Sequence, residues 1–176
     1  MGGGRGTGLS FGHTAGSQEV AASTTSVQLS LGIAAGDASF MGGNEAFLRN
    51  IRNRRDVDPG GVFDLIAHGT SSGVQVEHLG STLTINSRVA ASRISRLPGY
   101  HGQDIRLLSC STGARSDGFA QNLANKLGVS VWAPSDLLWA RQDGTHFVAP
   151  RDPRHPNRPH PWRRGTFIEY KPGGNR

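Results

Sequence analysis

Cysteine is almost absent from this chain, because Cys110 is the single one among 176 residues. An internal disulfide and a zinc site built from several cysteines are therefore both excluded. Long apolar runs are missing too: none approaches the ~18 residues that a membrane-spanning helix needs, so we expect no membrane insertion. No basic segment leads into an apolar one, so the pattern of a secretory signal is also missing.

Charged and aromatic residues are scarce as well, at 18% and 7% of the chain. The 35% of hydrophobic residues is enough for one packed core, and the length predicts a single domain. The formal net charge of +6 is compatible with an anionic partner but specifies none. The histidines lack the close i, i+4 pairing of good metal sites, so we expect no metal.

Glycine, by contrast, is abundant, and 11 of the 25 glycines lie within residues 1–43. This N-terminal segment is rich in Gly, Ser and Thr, and the alternation of apolar and polar residues over Val27–Leu31 predicts one strand in it. The opening Met1-Gly2-Gly3-Gly4 is typical of a linker. Without a signal, the chain either stays in the cytoplasm or is one piece of a longer exported polypeptide, and this opening favours the second.

Residues 44–149 are predicted to form an α/β core. Two near-continuous apolar runs, Val62–Ala67 and Ile105–Ser109, are typical of strands that are buried on both faces. Strands that alternate with helices predict a mostly parallel sheet flanked by helices. The other predicted elements are helices over Asn44–Arg54, Asn86–Leu97 and Asp117–Leu127, a hairpin of Val74–Val76 and Leu83–Ile85, and a strand over Val129–Ala133.

The last part of the chain has a different composition. Residues 150–165 contain five prolines with arginines and histidines between them, which predicts an extended basic loop and excludes a helix or a central strand. Residues 166–176 are predicted to hold the last strand, Thr166–Tyr170, and a tail. We expect all of these segments to belong to one domain.

A reactive side chain follows each of the two buried strands. His68 and Gly69 follow the first strand, and Cys110 follows Ser109 at the end of the second. Because the carboxyl ends of parallel strands meet at one edge of a sheet, both side chains are expected in one cleft. A cysteine nucleophile needs a base, which histidine supplies near neutral pH. We predict His68 and Cys110 as catalytic residues, with backbone amides around Gly69 and Ser109 receiving an oxyanion.

This pair of motifs resembles a known family. An apolar strand ending on His-Gly, with a second ending on a small residue and cysteine, is the paired signature of clan CD cysteine peptidases, which share the caspase-like three-layer fold. The spacing of 42 residues between His68 and Cys110 is most similar to the autoprocessing peptidase domains of large bacterial toxins. Leu107–Gly113, with Phe119-Ala120 and Val129–Pro134, is also similar to the C-terminal toxin modules of bacterial polymorphic secreted proteins.

The resemblance covers roughly Val62–Trp139 and implies a function. It implies a cysteine endopeptidase module of a bacterial toxin or effector, with His68 as general acid/base and Cys110 as nucleophile. Such a module is secreted within a larger bacterial polypeptide and acts in the target-cell cytoplasm. Its substrates are its parent chain, a target-cell protein or both, and its partners include a cognate immunity protein. It needs no cofactor, although an anionic activator such as inositol hexakisphosphate fits the arginines at 49–55 and 151–164.

The resemblance also implies an acidic residue upstream that orients His68. Asp37, Asp56 and Asp58 are the candidates, with Asp37 as the first choice. The substrate pocket is expected after the next strand, at Trp132, Ser135 and Asp136. Asp136 there either favours a basic substrate side chain or caps a helix.

One alternative uses the same stretch with a different nucleophile. Ser109-Cys110-Ser111-Thr112-Gly113 matches the small-x-Ser-x-Gly outline of a nucleophile elbow, which would make Ser111 the nucleophile of a serine hydrolase. Asp136 with His146 or His155 would then complete a triad in the right chain order.

A second alternative is a basic nucleic-acid-binding domain without enzymatic activity. The Pro/Arg/His-rich loop supplies the cations for it. Trp162 is the one aromatic residue in that loop, so the sequence does not favour nucleic acid as the partner.

Overall fold

The structure is a computed structural model, and it describes residues 37–40, 45–58, 60–78 and 81–174. The strand predicted over Val27–Leu31 lies outside the described residues. Three helices and nine strands are formed within them. The helices are α1 (Ala46–Ile51), α2 (Ser87–Ile94) and α3 (Phe119–Leu127), and the strands are β1 (Asp37–Ser39), β2 (Val62–Ile66), β3 (Val74–His78), β4 (Ser81–Ile85), β5 (Asp104–Leu108), β6 (Val131–Pro134), β7 (Leu138–Ala140), β8 (His146–Val148) and β9 (Phe167–Tyr170).

A five-stranded sheet forms the centre of the molecule, in the order β1-β2-β5-β6-β9. The first four strands are parallel, and β9 is antiparallel to β6. The prediction of an α/β fold with a mostly parallel sheet is confirmed. Two antiparallel hairpins, β3–β4 and β7–β8, lie outside this sheet, and the first of them was also predicted.

Both faces of the sheet are covered. On one face, α2 and α3 pack against Phe63 and Leu65 of β2 and Ile105 of β5 in the larger apolar cluster. On the other face, α1 and the β7–β8 hairpin pack against Ile66 and Leu108 in a smaller cluster. The strands therefore alternate between two cores, which is why β2 and β5 read as almost continuously apolar runs.

The helix ends follow from local residues. The Asn86 side chain accepts hydrogen bonds from the Arg88 and Val89 N–H groups and so begins α2. Gly128, with φ of 72°, ends α3 in the left-handed conformation that glycine adopts without strain.

Each helix is shorter than expected, because residues 52–53 after α1, residues 95–96 after α2 and Asp117 before α3 form turns. The predicted cap of the first helix, Asn44, lies outside the described residues.

Two short pieces of the fold were not predicted. Strand β1 pairs with β2 at the edge of the sheet, and the β7–β8 hairpin covers the face beside α1. Each of these strands has three residues, which is too short for a periodic pattern to be read. The hairpin does carry a turn signal, Asp143-Gly144, between its strands.

Candidate active site

The pairing of β2 with β5 positions His68 and Cys110. Each residue of β2 lies beside the β5 residue 42 positions later, and the last pair is Ile66 with Leu108. His68 and Cys110 are separated by the same 42 positions and follow two residues after this pair. Because side chains alternate along a strand, both are directed to the face of the sheet that α1 and the β7–β8 hairpin cover.

The turns that carry the two residues are in direct contact. A Cβ added to Gly69 would lie 2.7 Å from the Cys110 carbonyl oxygen, 2.6 Å from Thr112 Cγ2 and 3.0 Å from Ser109 Cβ. Real Cβ atoms do not approach other atoms so closely, so only glycine fits at this position. The absence of a side chain at Gly69 is therefore what lets the histidine turn pack on the cysteine turn.

Cys110 is half-buried against the smaller apolar cluster. Its Sγ lies 3.9 Å from the Leu138 carbonyl oxygen, to which the thiol donates a weak hydrogen bond. Burial raises the pKa of the Cys110 thiol, and the carbonyl contact and the charge of Arg151 offset only part of this rise. The thiol therefore keeps its proton near neutral pH and needs a base before it can attack.

His68 is half-exposed and contacts an acidic residue. Its Nε2 lies 2.5 Å from Oε2 of Glu45, the residue directly before α1. This contact engages Nε2, and within the described residues Nδ1 forms no hydrogen bond, so it is the ring nitrogen available as a base. Sequence reasoning missed Glu45, because no local pattern links the residue before α1 to a histidine 23 positions later.

Two of the three predicted orienting carboxylates, Asp56 and Asp58, have other partners. The Asp37 backbone pairs with that of Asp64, four residues before His68. The Asp37 side chain is not among those that the structure describes, so its orienting role stays a prediction. Asp56 accepts a hydrogen bond from Arg106 Nη1 at 2.6 Å. Asp58 accepts the Gly61 N–H in the turn before β2. Among the described side chains, Glu45 is the carboxylate in contact with the histidine.

Two backbone amides are available to an oxyanion. Within the residues that the structure describes, neither the Gly69 N–H nor the Cys110 N–H donates a hydrogen bond. The Ser109 side chain has a supporting contact instead: its buried Oγ lies 2.9 Å from Thr112 Oγ1. The hydrogen bond between Ser109 and Thr112 therefore stabilises the turn that carries Cys110.

The residue after the thiol has an unusual backbone. Ser111 has a φ of 55°, and no other non-glycine residue of the described segments has a positive φ. Its N–H donates to the Asp136 carbonyl oxygen at 2.9 Å, and the Gly113 N–H donates to the Pro134 carbonyl oxygen at the same distance. These two bonds hold the strained turn against the end of β6.

The predicted substrate-pocket residues separate into two places. Asp136 lies beside the cysteine turn through its backbone, and Ser135 Oγ accepts the Thr166 N–H at 3.0 Å. Trp132 instead lines a groove of about 600 Å³ between the β7–β8 hairpin and the sheet, together with Arg106 and His146. Neither His68 nor Cys110 lines this groove.

A network of charged side chains includes three that line that groove, Asp56, Arg106 and His146. Asp64 is buried and contacts Arg54 at 2.8 Å and Arg106 at 2.7 Å. Arg106 also contacts Asp56, whose Oδ2 lies 3.4 Å from His146 Nε2. Burial alone would raise the pKa of Asp56, but the charges of Arg106 and His146 outweigh it and lower the pKa. This network joins the end of α1, the sheet and the β7–β8 hairpin.

The residues named for a serine triad have other partners. His146 contacts Asp56, and His155 Nδ1 lies 3.2 Å from Asp152. The Asp136 carboxylate accepts the N–H of Leu137. Among the described residues, no group of three or more His, Cys, Asp or Glu side chains is placed to hold a metal ion, and no helix is long and apolar enough to span a membrane.

The molecule is an α/β protein whose mostly parallel sheet carries a histidine and a cysteine beyond the carboxyl ends of adjacent strands. A family model described as a domain of unknown function (DUF8616) matches residues 36–148, well over half of the chain, and the protein therefore belongs to this family. The match includes Glu45, His68 and Cys110 and ends before the basic loop. No curated protein and no solved structure matches the chain.

Proposed function

We propose that the chain is a cysteine endopeptidase module, with Cys110 as its nucleophile and His68 as its general acid and base. The observation that carries the proposal is the shared offset of 42 positions, which gives both residues equivalent places beyond adjacent strands. The close packing of Gly69 on the Cys110 carbonyl group supports it. The half-exposed histidine and half-buried thiol give a substrate access to the pair.

The first chemical step is acylation of the thiol. Because burial raises the pKa of Cys110, His68 takes the Sγ proton as the sulfur bonds to the carbonyl carbon of the scissile peptide. The carbonyl oxygen becomes an oxyanion, which the free N–H groups of Gly69 and Cys110 receive. The C–N bond then breaks, and the imidazolium gives its proton to the leaving amine.

The second step is hydrolysis of the thioester on Cys110. His68 takes a proton from water, whose oxygen attacks the thioester carbonyl carbon. The C–S bond breaks, the carboxylic product leaves, and the proton returns to sulfur. Each cycle thus uses one water and restores both residues.

Glu45 is the positioning residue in this proposal. Its contact with Nε2 holds the ring and stabilises the imidazolium that forms in both steps. We expect Glu45→Gln, which keeps an acceptor oxygen without the charge, to lower kcat less than Glu45→Ala. If Glu45 had only a structural role, the two variants would lose kcat to the same extent, and each loss of kcat would be accompanied by a loss of thermal stability.

The finer parts of the proposal rest on the resemblance of the two motifs. The caspase-like three-layer architecture is supported by α2 and α3 on one face of the sheet and α1 on the other. The role as a toxin or effector module, with a parent chain or target-cell protein as substrate, is supported by the His-Cys spacing. Secretion, an immunity protein and an anionic activator belong to the same proposal.

The test is hydrolysis of a fluorogenic peptide library that varies the residue before the scissile bond. We expect Cys110→Ala to abolish hydrolysis and His68→Ala to lower kcat by about 10²- to 10⁴-fold. Ser111→Gly is the matched control: glycine tolerates the positive φ at this position, so the variant removes the hydroxyl without new strain. It should retain activity.

A serine hydrolase with Ser111 as nucleophile is the second candidate. The positive φ of Ser111 favours it, because a nucleophile elbow holds its serine on such a strained turn. The same library decides between the two. Activity that survives Cys110→Ala and disappears in Ser111→Gly assigns the reaction to the serine; no hydrolysis of any peptide, with no self-cleavage by intact mass, contradicts both.

A further inference from the structure

A tight turn in the basic loop, residues 150–165, holds Trp162 in solvent. The Trp162 side chain is 86% exposed, far above every other exposed large hydrophobic side chain in the described ranges. The N–H groups of Trp162 and Arg163 both donate to His160 Nδ1, at 3.2 and 3.1 Å. Arg164 Nη1 donates to the His160 carbonyl oxygen at 2.8 Å and closes the turn. The backbone that carries the indole is therefore fixed.

The rest of the basic loop is ordered by its own hydrogen bonds. The His160 N–H donates to the Pro150 carbonyl oxygen at 2.8 Å, and the Asp152 N–H donates to the Arg158 carbonyl oxygen at 2.9 Å. Asp152 is the one acidic residue of the loop, and its carboxylate faces His155 at 3.2 Å. The basic loop is thus ordered by its own hydrogen bonds, and its one carboxylate contacts a histidine of the same loop.

The remaining charges on this loop are of one sign. All the arginines of the basic loop are exposed, and within the described part of the chain none of them forms an ion pair. A guanidinium presents several donors in a planar fork that matches phosphate oxygens. The arginines are Arg151, Arg154, Arg158, Arg163 and Arg164.

The composition of this surface, one exposed indole and several arginines, indicates what kind of partner it binds. A protein interface has an apolar centre built from several large side chains, whereas Trp162 is the only one here. One exposed indole among guanidinium groups that have no carboxylate partner suits a partner that offers flat aromatic faces and regularly spaced anions. Unpaired bases on a phosphodiester backbone offer both.

We propose that Trp162 and the arginines around it bind single-stranded nucleic acid. The indole stacks on an unpaired base, and the guanidinium groups contact the neighbouring phosphates. The sequence did not favour this partner, because the loop holds one aromatic residue. The structure adds the His160 turn, which fixes that residue in water and so lowers the entropy lost on binding. The binding role requires neither His68 nor Cys110 as a reactive group, although the charge of Arg151, at the start of the loop, reaches the Cys110 thiol.

The test is fluorescence anisotropy of the full chain with labelled oligothymidylate and oligouridylate of about 15 nucleotides, long enough for one small site. We expect saturable binding, with Trp162→Ala weakening it by about 10-fold or more. Leu83→Ala removes an exposed apolar side chain from β4, outside the basic loop, and should bind as the wild type does. The DNA and RNA arms show which backbone is preferred.

Three further arms separate stacking from charge alone. His160→Ala removes the acceptor of the turn and should weaken binding, whereas His160→Asn keeps an acceptor oxygen and should retain most of it. Arg158→Gln with Arg163→Gln should flatten the slope of log affinity against log salt by about 0.7 per lost phosphate contact. Polyglutamate should compete poorly, because it has charges but no bases.

Each contrary result overturns the proposal. Equal affinity of wild type and Trp162→Ala, or equal competition by polyglutamate, would show a polyanion site without stacking. Equal affinity for a duplex of the same length would exclude recognition of unpaired bases. No saturable binding at about 50 mM salt, where phosphate contacts are strong, would show that the surface has another use.

Discussion

Single residues set the reactivity of the proposed site. The thiol of Cys110 and the ring of His68 could be predicted, because each directly follows an apolar run that ends in small residues. Glu45 could not be chosen from the sequence alone: its contact with His68 spans 23 positions and depends on where α1 packs. Local patterns show a reactive residue, whereas its partner follows from tertiary packing.

The first prediction concerns the thiol. Burial raises the pKa of Cys110, so its thiolate forms at higher pH than that of a free cysteine. The rate of alkylation by iodoacetamide should therefore reach half of its maximum at a pH above that of glutathione measured in parallel. A plateau already present below neutral pH would contradict this, since it would reveal a resting thiolate–imidazolium pair.

The second prediction concerns Gly69. An added Cβ would lie 2.7 Å from the Cys110 carbonyl oxygen, so Gly69→Ala should push the two turns apart. A displacement of about 1 Å costs roughly 10²-fold in rate, and we expect a loss of kcat/KM of that order. Gly60→Ala is the control, because its Cβ would meet nothing closer than 4.0 Å. Equal activity of the two variants would count against the contact.

Secondary-structure elements place these residues, and the sequence predicted most of them. Strands β2 and β5 and helices α2 and α3 were found from apolar runs, an asparagine cap and a glycine stop. The β7–β8 hairpin was not found, although its Leu138 carbonyl group contacts the thiol. Three-residue strands carry little periodic signal, and their stability comes from packing on α1 and the sheet.

The third prediction tests that packing. Gly144, in the β7–β8 turn, and Gly102 both have a positive φ, of 87° and 89°. A Cβ on Gly144 would lie 2.1 Å from the Asn53 carbonyl carbon, whereas one on Gly102 would meet nothing within 4 Å. Both alanine variants carry the cost of a Cβ in the left-handed conformation, roughly 1–2 kcal/mol. We expect Gly144→Ala to lower the Tm clearly more, and equal shifts would show that the hairpin does not pack on the end of α1.

At the scale of the whole molecule, buried charges join the layers. Asp64 lies between Arg54 and Arg106 in the middle of the sheet, and Arg106 continues to Asp56 beside the hairpin. The sequence showed Asp64 only as a polar interruption of an apolar run. Its role could not be read there, because its partners come from the end of α1 and from β5.

The fourth prediction concerns this network. Asp64→Asn removes the negative charge between two arginines in a buried place, so we expect the free energy of unfolding in urea to fall by about 3–5 kcal/mol. Asp117→Asn is the control, because Asp117 pairs with Arg115 on the surface with both side chains mostly exposed. It should leave stability unchanged. Similar losses in both variants would contradict a structural role for the buried network.

The proposed function requires that His68 activates Cys110 in one cleft. Intact-mass analysis after brief exposure to a panel of peptidyl acyloxymethyl ketones near neutral pH tests it most directly. We expect one adduct on Cys110 in the wild type and none in His68→Ala, while iodoacetamide in alkaline buffer labels both proteins. Adducts that form equally fast in the two proteins, or that lie on another residue, would contradict it.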